Sequence, residues 1–389
     1  MHGHVHPDFA PVAEKLRKVL DGGWFTRGRG GAAVAVYHRG ELVVDAWGGV
    51  KDTAGNPWER DTMATSFSTT KGVVATVVHR LVDRSEIAYD DPVARYWPEF
   101  AAAGKGGITI RQLLTHQAGL HDVRALVSDP ATLLDWDEMV SRLAAAAPRW
   151  EPGRRPGYHA LTYGWLVGEV IRRVTGLTVD AAVQKEIAEP LGLDGLRIGL
   201  PPSARTRAAE LMMSSRSVDR LERLARRLET RDRYRPFVDA LMVEGFLDLT
   251  LTERIHDGEV PAANGVFTAR SLARMYAAIA TPEAFDEPRL LSAETTAQAT
   301  EIQIRARDAV IGFDMRWRLG YHMAATTAGV LPRGFGHFGF GGSGAWGDPD
   351  RGLAVAFVVN AVAGTPFGDL RFLRLGGAAV RSVRRISPR

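Results

Sequence analysis

Ser68 and Lys71 stand three residues apart in the stretch Thr65-Ser66-Phe67-Ser68-Thr69-Thr70-Lys71-Gly72, and an apolar run from Val73 to Val78 follows. Residues i and i+3 share one face of a helix, so a serine in the first turn has its Oγ beside the lysine amine. That first turn is also the positive end of the helix dipole. A serine hydroxyl is a weak nucleophile until a base takes its proton. A lysine kept neutral by burial can be that base. The pattern therefore reads as a nucleophile with its activator on a rigid support.

Such a pair also needs a group that passes a proton to the leaving alcohol or amine, and donors for an oxyanion. The first is sought in Trp150-Glu151-Pro152-Gly153-Arg154-Arg155-Pro156-Gly157-Tyr158-His159, an irregular loop ending at Tyr158 before a helix from Leu161 to Val174. Lysine ammonium groups nearby would lower the phenol's pKa and make it a useful phenolate. Taken alone, a tyrosine before a helix is more often a packing residue. The second is sought in the glycine-rich stretch from Gly336 to Trp346. So much glycine in a strand lets a ligand or another backbone approach closely. The amides of Ser68 and Phe340 would be the oxyanion donors, with His337, Gly339 and Trp346 beside the substrate. His337 alone would more often be structural. Trp346, Phe340 and Trp165 are candidates for an apolar acyl pocket and equally for core.

The elements that position these residues fall into two textures. Phe9 to Leu20 has helical periodicity. Ala32 to Tyr37, a turn at Arg39-Gly40 and Leu42 to Val44 read as a hairpin. Met63 to Phe67 reads as a short strand entering the Ser68 helix, which runs to about Val82. The middle is short helices and loops. Ile311 to Leu319, Gly336 to Phe340, Gly344 to Gly347 and Leu353 to Asn360 read as strands, and Leu370 to Val383 as a closing helix. The expected fold class is α/β (α+β): an antiparallel sheet built from both termini, flanked by helices, with a mainly helical insertion. The division expected is 1–87 with 265–389 against 88–264.

Within the insertion, ten arginines lie between Ser203 and Arg235, mixed with acids and with the stripe Leu221, Leu224, Leu228. This segment (about 203–235) reads first as a solvated charged face of an amphipathic helix and second as a lid over the substrate entrance. His2, His4 and His6 read as a flexible tail rather than a metal cluster.

The chain has 389 residues, 45% hydrophobic and 24% charged, and its net charge of +4 comes from largely interleaved acids and bases. That balance gives no reason to expect nucleic acid. Without cysteine there is no thiol nucleophile and no Cys-based zinc site. No cofactor and no metal are expected. No apolar run is long enough for a signal peptide or a bilayer span, so the expectation is a cytoplasmic protein, with peripheral envelope association open. The oligomeric state is not legible.

Taken together, Ser68-x-x-Lys71, Leu113-Leu114-Thr115-His116-Gln117-Ala118-Gly119-Leu120, Tyr158 and His337-Phe338-Gly339 resemble the serine β-lactamase and penicillin-binding-protein family. They look most like its family VIII carboxylesterases, which are related to class C β-lactamases. The resemblance implies Ser68 as the acylated nucleophile, Lys71 as its base partner and Tyr158 as the catalytic tyrosine. Two positions depart from the β-lactamase pattern. Ala160 stands where Tyr-x-Asn has its amide, and His337-Phe338 replace the Lys-Thr of the strand motif. Both changes favour an uncharged, apolar ester over a β-lactam. The expected function is hydrolysis of short- to medium-chain carboxylic esters through an acyl-enzyme, with a small-molecule ester as partner. The alternatives are a β-lactamase or D-alanyl-peptide hydrolase on the same fold, and a non-catalytic binding protein. An α/β-hydrolase is disfavoured because Gly341-Gly342-Ser343-Gly344-Ala345 misses the final glycine of its nucleophile motif.

Overall fold

In a computed structural model of the chain, residues 1–22, 30–213, 215–285, 289–362 and 369–386 are described. Twelve strands are β1 (His2–Val5), β2 (Gly31–His38), β3 (Glu41–Gly49), β4 (Ala64–Thr65), β5 (Leu196–Ile198), β6 (Gly265–Phe267), β7 (Ile304–Arg307), β8 (Asp314–Trp317), β9 (His322–Thr326), β10 (Gly329–Phe338), β11 (Gly344–Asp348) and β12 (Leu353–Val359). Among the described residues, nine form one sheet in the order β1-β3-β2-β12-β11-β10-β9-β8-β7, and β4, β6 and β5 form a second of three. Neighbouring strands run antiparallel throughout. The large sheet is thus built from both ends of the chain, and β12 inserts between β2 and β11.

Alternation along β2 explains why its sequence reads as an unbroken apolar run. Ala33 and Ala35 face the helices Thr70–Asp83 and Ala269–Ala280, while Ala32, Val34 and Val36 face the helices Ala10–Leu20 and Leu370–Ile386. With both faces covered, both sets of side chains are apolar. The first core continues from the sheet through the Thr70–Asp83 helix to Trp97, Phe100, Leu143 and Trp165, all within the mainly helical stretch between β4 and β6.

Three details differ from the sequence reading. His2, His4 and their neighbours are no flexible tail: they form β1 on the edge of β3, with His4 opposite Asp45. Backbone pairing to an exposed edge needs no apolar pattern, so composition gave no sign of it. No metal-holding cluster of His, Asp and Glu occurs among the described residues. The strand expected over Ile311 to Leu319 is the shorter β8, because Asp308–Gly312 is spent on a turn closing the β7–β8 hairpin. β10 begins seven residues before Gly336 and carries a register shift between Leu331 and Phe335. Pro332 lies within the shift and has no N–H to give the ladder.

Candidate active site

The Ser68 turn is set by three anchors. The amide of Ser66 donates to Gly265 C=O at 2.8 Å, tying the turn to β6. Thr70 Oγ1 donates to Phe67 C=O at 2.5 Å and accepts from the Gly265 amide at 3.0 Å. Phe67 is held at φ 44°, a left-handed conformation unusual for a bulky residue. Its ring meets that of Phe340 edge-on at 5.3 Å. Ser68 then opens toward solvent, half-buried, while Lys71 on the next turn is fully buried.

Lys71 Nζ lies 3.0 Å from Ser68 Oγ and donates to Ala262 C=O at 3.0 Å. No carboxylate partner for it occurs among the described residues, and burial pushes its pKa well below the ordinary lysine value. A neutral amine with one hydrogen committed to Ala262 can turn its lone pair to the serine hydroxyl. The loop that carries this carbonyl is clamped by Asn264, whose Oδ1 accepts from the Val260 amide at 2.9 Å. Its Nδ2 donates to Ile255 and Gly258 carbonyls at 2.8 and 2.7 Å.

Tyr158 OH donates to Ser68 Oγ at 2.9 Å, so an amine and a phenol from two stretches of chain meet on one serine oxygen. Burial raises the phenol's pKa, the serine hydrogen bond opposes this, and Asp308 raises it further. The expectation of a phenolate does not hold for the resting site: burial raises the phenol's pKa, and Tyr158 keeps its proton.

Asp308 is a buried residue that sequence reasoning passed over. Its Oδ1 accepts from the amides of Tyr158, Val310 and Ile311 at 3.1, 2.9 and 3.0 Å, and Oδ2 from Trp317 Nε1 at 3.2 Å. It fixes the backbone of the tyrosine to the β7–β8 turn. A lone acid just after the strand Ile304–Arg307 carries no signal of that role. His116, also buried, sits beneath the tyrosine, with ring centroids 4.9 Å apart, and accepts from the His159 amide at 3.2 Å.

Of the other expected site residues, Phe340 begins a short 3-10 turn (Phe340–Gly342) beyond β10, and Ser68 lies in another (Phe67–Thr69). Leading amides of such turns have no acceptor within the turn. Gly339 does its work by absence: a Cβ there would lie 2.2 Å from Ser66 C=O, so glycine lets the end of β10 reach the nucleophile turn. His337 is buried, its Nδ1 3.0 Å from Phe338 C=O and its Nε2 without a partner among the described residues. Burial chiefly holds its pKa well below the usual histidine value, so the ring is neutral. Trp346 is not at the site. It points to the opposite face of the sheet, fully buried against the closing helix near Gly376. Trp165 likewise belongs to the core. Alternation explains the tryptophan: its neighbours in β11 face the first core, and position 346 must face the second.

Above Ser68 opens a cavity of about 520 Å³, lined by Phe67, Tyr158, Ala160 and Phe340 on one side. The other side is Leu221, Leu224 and Leu228, the apolar stripe of the arginine-rich helix Ser215–Glu229, together with Phe237, Met242 and Phe246. The stripe that read first as the underside of a solvated face is a wall of the cavity.

The family model described as Beta-lactamase matches residues 16–379. Esterase/beta-lactamase LipL of Mycobacterium tuberculosis (strain ATCC 25618 / H37Rv) is 42% identical over 368 residues, covering 92% of this chain and 82% of that protein. Two solved structures are similar over 98% of this chain and 99% of their own. One is a penicillin-binding protein homolog from Caulobacter crescentus, with 37% identity and a TM-score of 0.85. The other is a family VIII carboxylesterase, with 36% identity and a TM-score of 0.84.

Proposed function

The chain belongs to the beta-lactamase family, and within it we propose a serine carboxylesterase that works through an acyl-enzyme on Ser68. The observation that carries this reading is the convergence of Lys71 Nζ and Tyr158 OH on Ser68 Oγ, at 3.0 and 2.9 Å, under an apolar cavity.

Neutral Lys71 takes the serine proton as Oγ attacks the ester carbonyl. The amides of Ser68 and Phe340 receive the developing oxyanion. The C–O bond to the alcohol breaks, and Tyr158 gives its proton to the leaving oxygen. The new ammonium on Lys71 favours the phenolate at that stage. In the second half, the Tyr158 phenolate takes a proton from water, which attacks the acyl carbon. Ser68 leaves and recovers its proton from Lys71. The protons balance: one ester and one water give one acid and one alcohol, and every side chain returns to its starting state.

Short- to medium-chain esters fit the aromatic and aliphatic lining. A β-lactam reading on the same fold is favoured by the name of the 42%-identical relative. Ala160 and the neutral, buried His337 count against it, because neither offers an amide or a cation to a β-lactam carboxylate. The test is labelling with a fluorophosphonate and mapping of the adduct, then turnover of p-nitrophenyl acetate, butyrate and octanoate. The adduct is expected on Ser68, and Ser68→Ala should abolish turnover with an unchanged circular dichroism spectrum. Retained turnover in that variant would reject the assignment. Nitrocefin turnover comparable to that of the esters would reverse the ranking.

A further inference from the structure

The arginine-rich helix presents two surfaces at once. Inward, Leu221, Leu224 and Leu228 wall the cavity over Ser68. Leu224 of this stripe lines the cavity and is still 49% exposed, which puts it at the cavity's edge. Arg220 and Arg227 stand at i−4 and i+3 from it, on the same side of the helix, and Arg223 precedes it; all three are exposed. From Val218 to Arg235 seven arginines face four carboxylates, a surplus of three in a chain whose whole net charge is +4. This local surplus lies at the cavity's rim; the closing stretch 370–389, with six arginines and no acid, carries a larger one away from it. Beyond its own turns the helix packs mainly on the segment that follows it, Asp232–Leu241, and the ion pair Glu229–Arg124, at 2.9 Å, reaches across to the body.

We propose that the exposed flank of the helix Ser215–Glu229, Leu224 with Arg220, Arg223 and Arg227, docks on an anionic lipid surface and sets the mouth of the Ser68 cavity against it, so that the esters reaching the site are ones dissolved in that surface. An amphipathic helix with arginines flanking a partly exposed leucine matches such an interface: the leucine enters the headgroup boundary, and the arginine stems lie along it with their guanidinium groups on lipid phosphates. The claim on substrate rests on the esterase reading; the docking itself does not.

The test uses the Ser68→Ala protein in co-sedimentation with vesicles of phosphatidylcholine alone and of phosphatidylcholine with about 30% phosphatidylglycerol. Binding is expected only to the anionic vesicles and should be lost on raising salt to about 0.5 M, where screening acts over a few ångströms. Adding Arg220→Glu, Arg223→Glu and Arg227→Glu together should lower the partition at least ~10-fold. In the protein with Ser68 intact, the same three changes should leave p-nitrophenyl acetate turnover in solution at the parent level. Equal binding to neutral vesicles, no binding at all, or undiminished binding by the charge-reversed protein would each overturn the proposal. Vesicle binding in a protein that turns over no ester would uphold the docking and reject the esterase reading instead.

Discussion

Lys71 is a fully buried amine within hydrogen-bonding distance of a carbonyl and the serine it serves. Its folded pKa is lowered, so between that value and the ordinary one near 10.4 the unfolded chain binds one more proton than the folded chain. Stability therefore rises with pH across this window. Lys71→Met should raise the melting temperature at pH 7 while ending turnover, and the gain should shrink as pH approaches 10; melts at pH 7 and 9.5 read this. A gain that does not fall with pH would mean the amine is charged in the fold. Lys71→Arg, which cannot become neutral, should lose at least ~100-fold in kcat, the size of a general-base contribution. Asp308 tests positioning rather than chemistry. Asp308→Ala leaves three amides and an indole N–H without their acceptor, which should cost about 1–3 kcal/mol in denaturant unfolding. It should also lower kcat ~10-fold or more with little change in KM, since the displaced group is Tyr158.

At the scale of elements, the site depends on how closely β10 approaches the nucleophile turn. Gly339→Ala forces a Cβ against Ser66 C=O, and the strand end must retreat. The expected result is a stability loss of about 1–3 kcal/mol with at least a ~10-fold fall in kcat, measured by melts and ester kinetics. Much of this layout was legible beforehand. Helix spacing puts Ser68 beside Lys71, the catalytic reading of the pair rests on the whole set of motifs, and the β2–β3 hairpin and β12 follow from apolar runs bounded by turns. Tyr158 became legible only through its place in the order of motifs, since one tyrosine before a helix says nothing by itself. Trp346 misled because a glycine-rich strand shows which residues are aromatic but not which face each one takes. Ala262, Asn264 and Asp308 left no sign: their roles are played by a carbonyl, a loop clamp and an amide acceptor, which any sequence can hold. The leucine stripe at 221, 224 and 228 was visible, but periodicity alone cannot tell what lies opposite it.

For the whole molecule, the ordering of strands separates what is essential to the sheet from what is added at its rim. β1 is exposed along most of its length and touches only β3 within the sheet. Removing residues 1–5 should lower stability by about 1 kcal/mol, with ester turnover retained, because few apolar contacts are lost. Loss of the folded state on that deletion would mean the edge strand closes the sheet in a way the pairing does not suggest. β12 is the opposite case. Val34 of β2 faces Phe357 of β12 across the ladder, so the first hairpin carries a vacant, apolar edge until almost the last residues have been made. On the ribosome, Ser68 emerges on the order of tens of seconds before Phe340 at ordinary elongation rates. A nascent chain of this protein is accordingly both inert and sticky, and the interval before β12 arrives is when a chaperone would matter most to it.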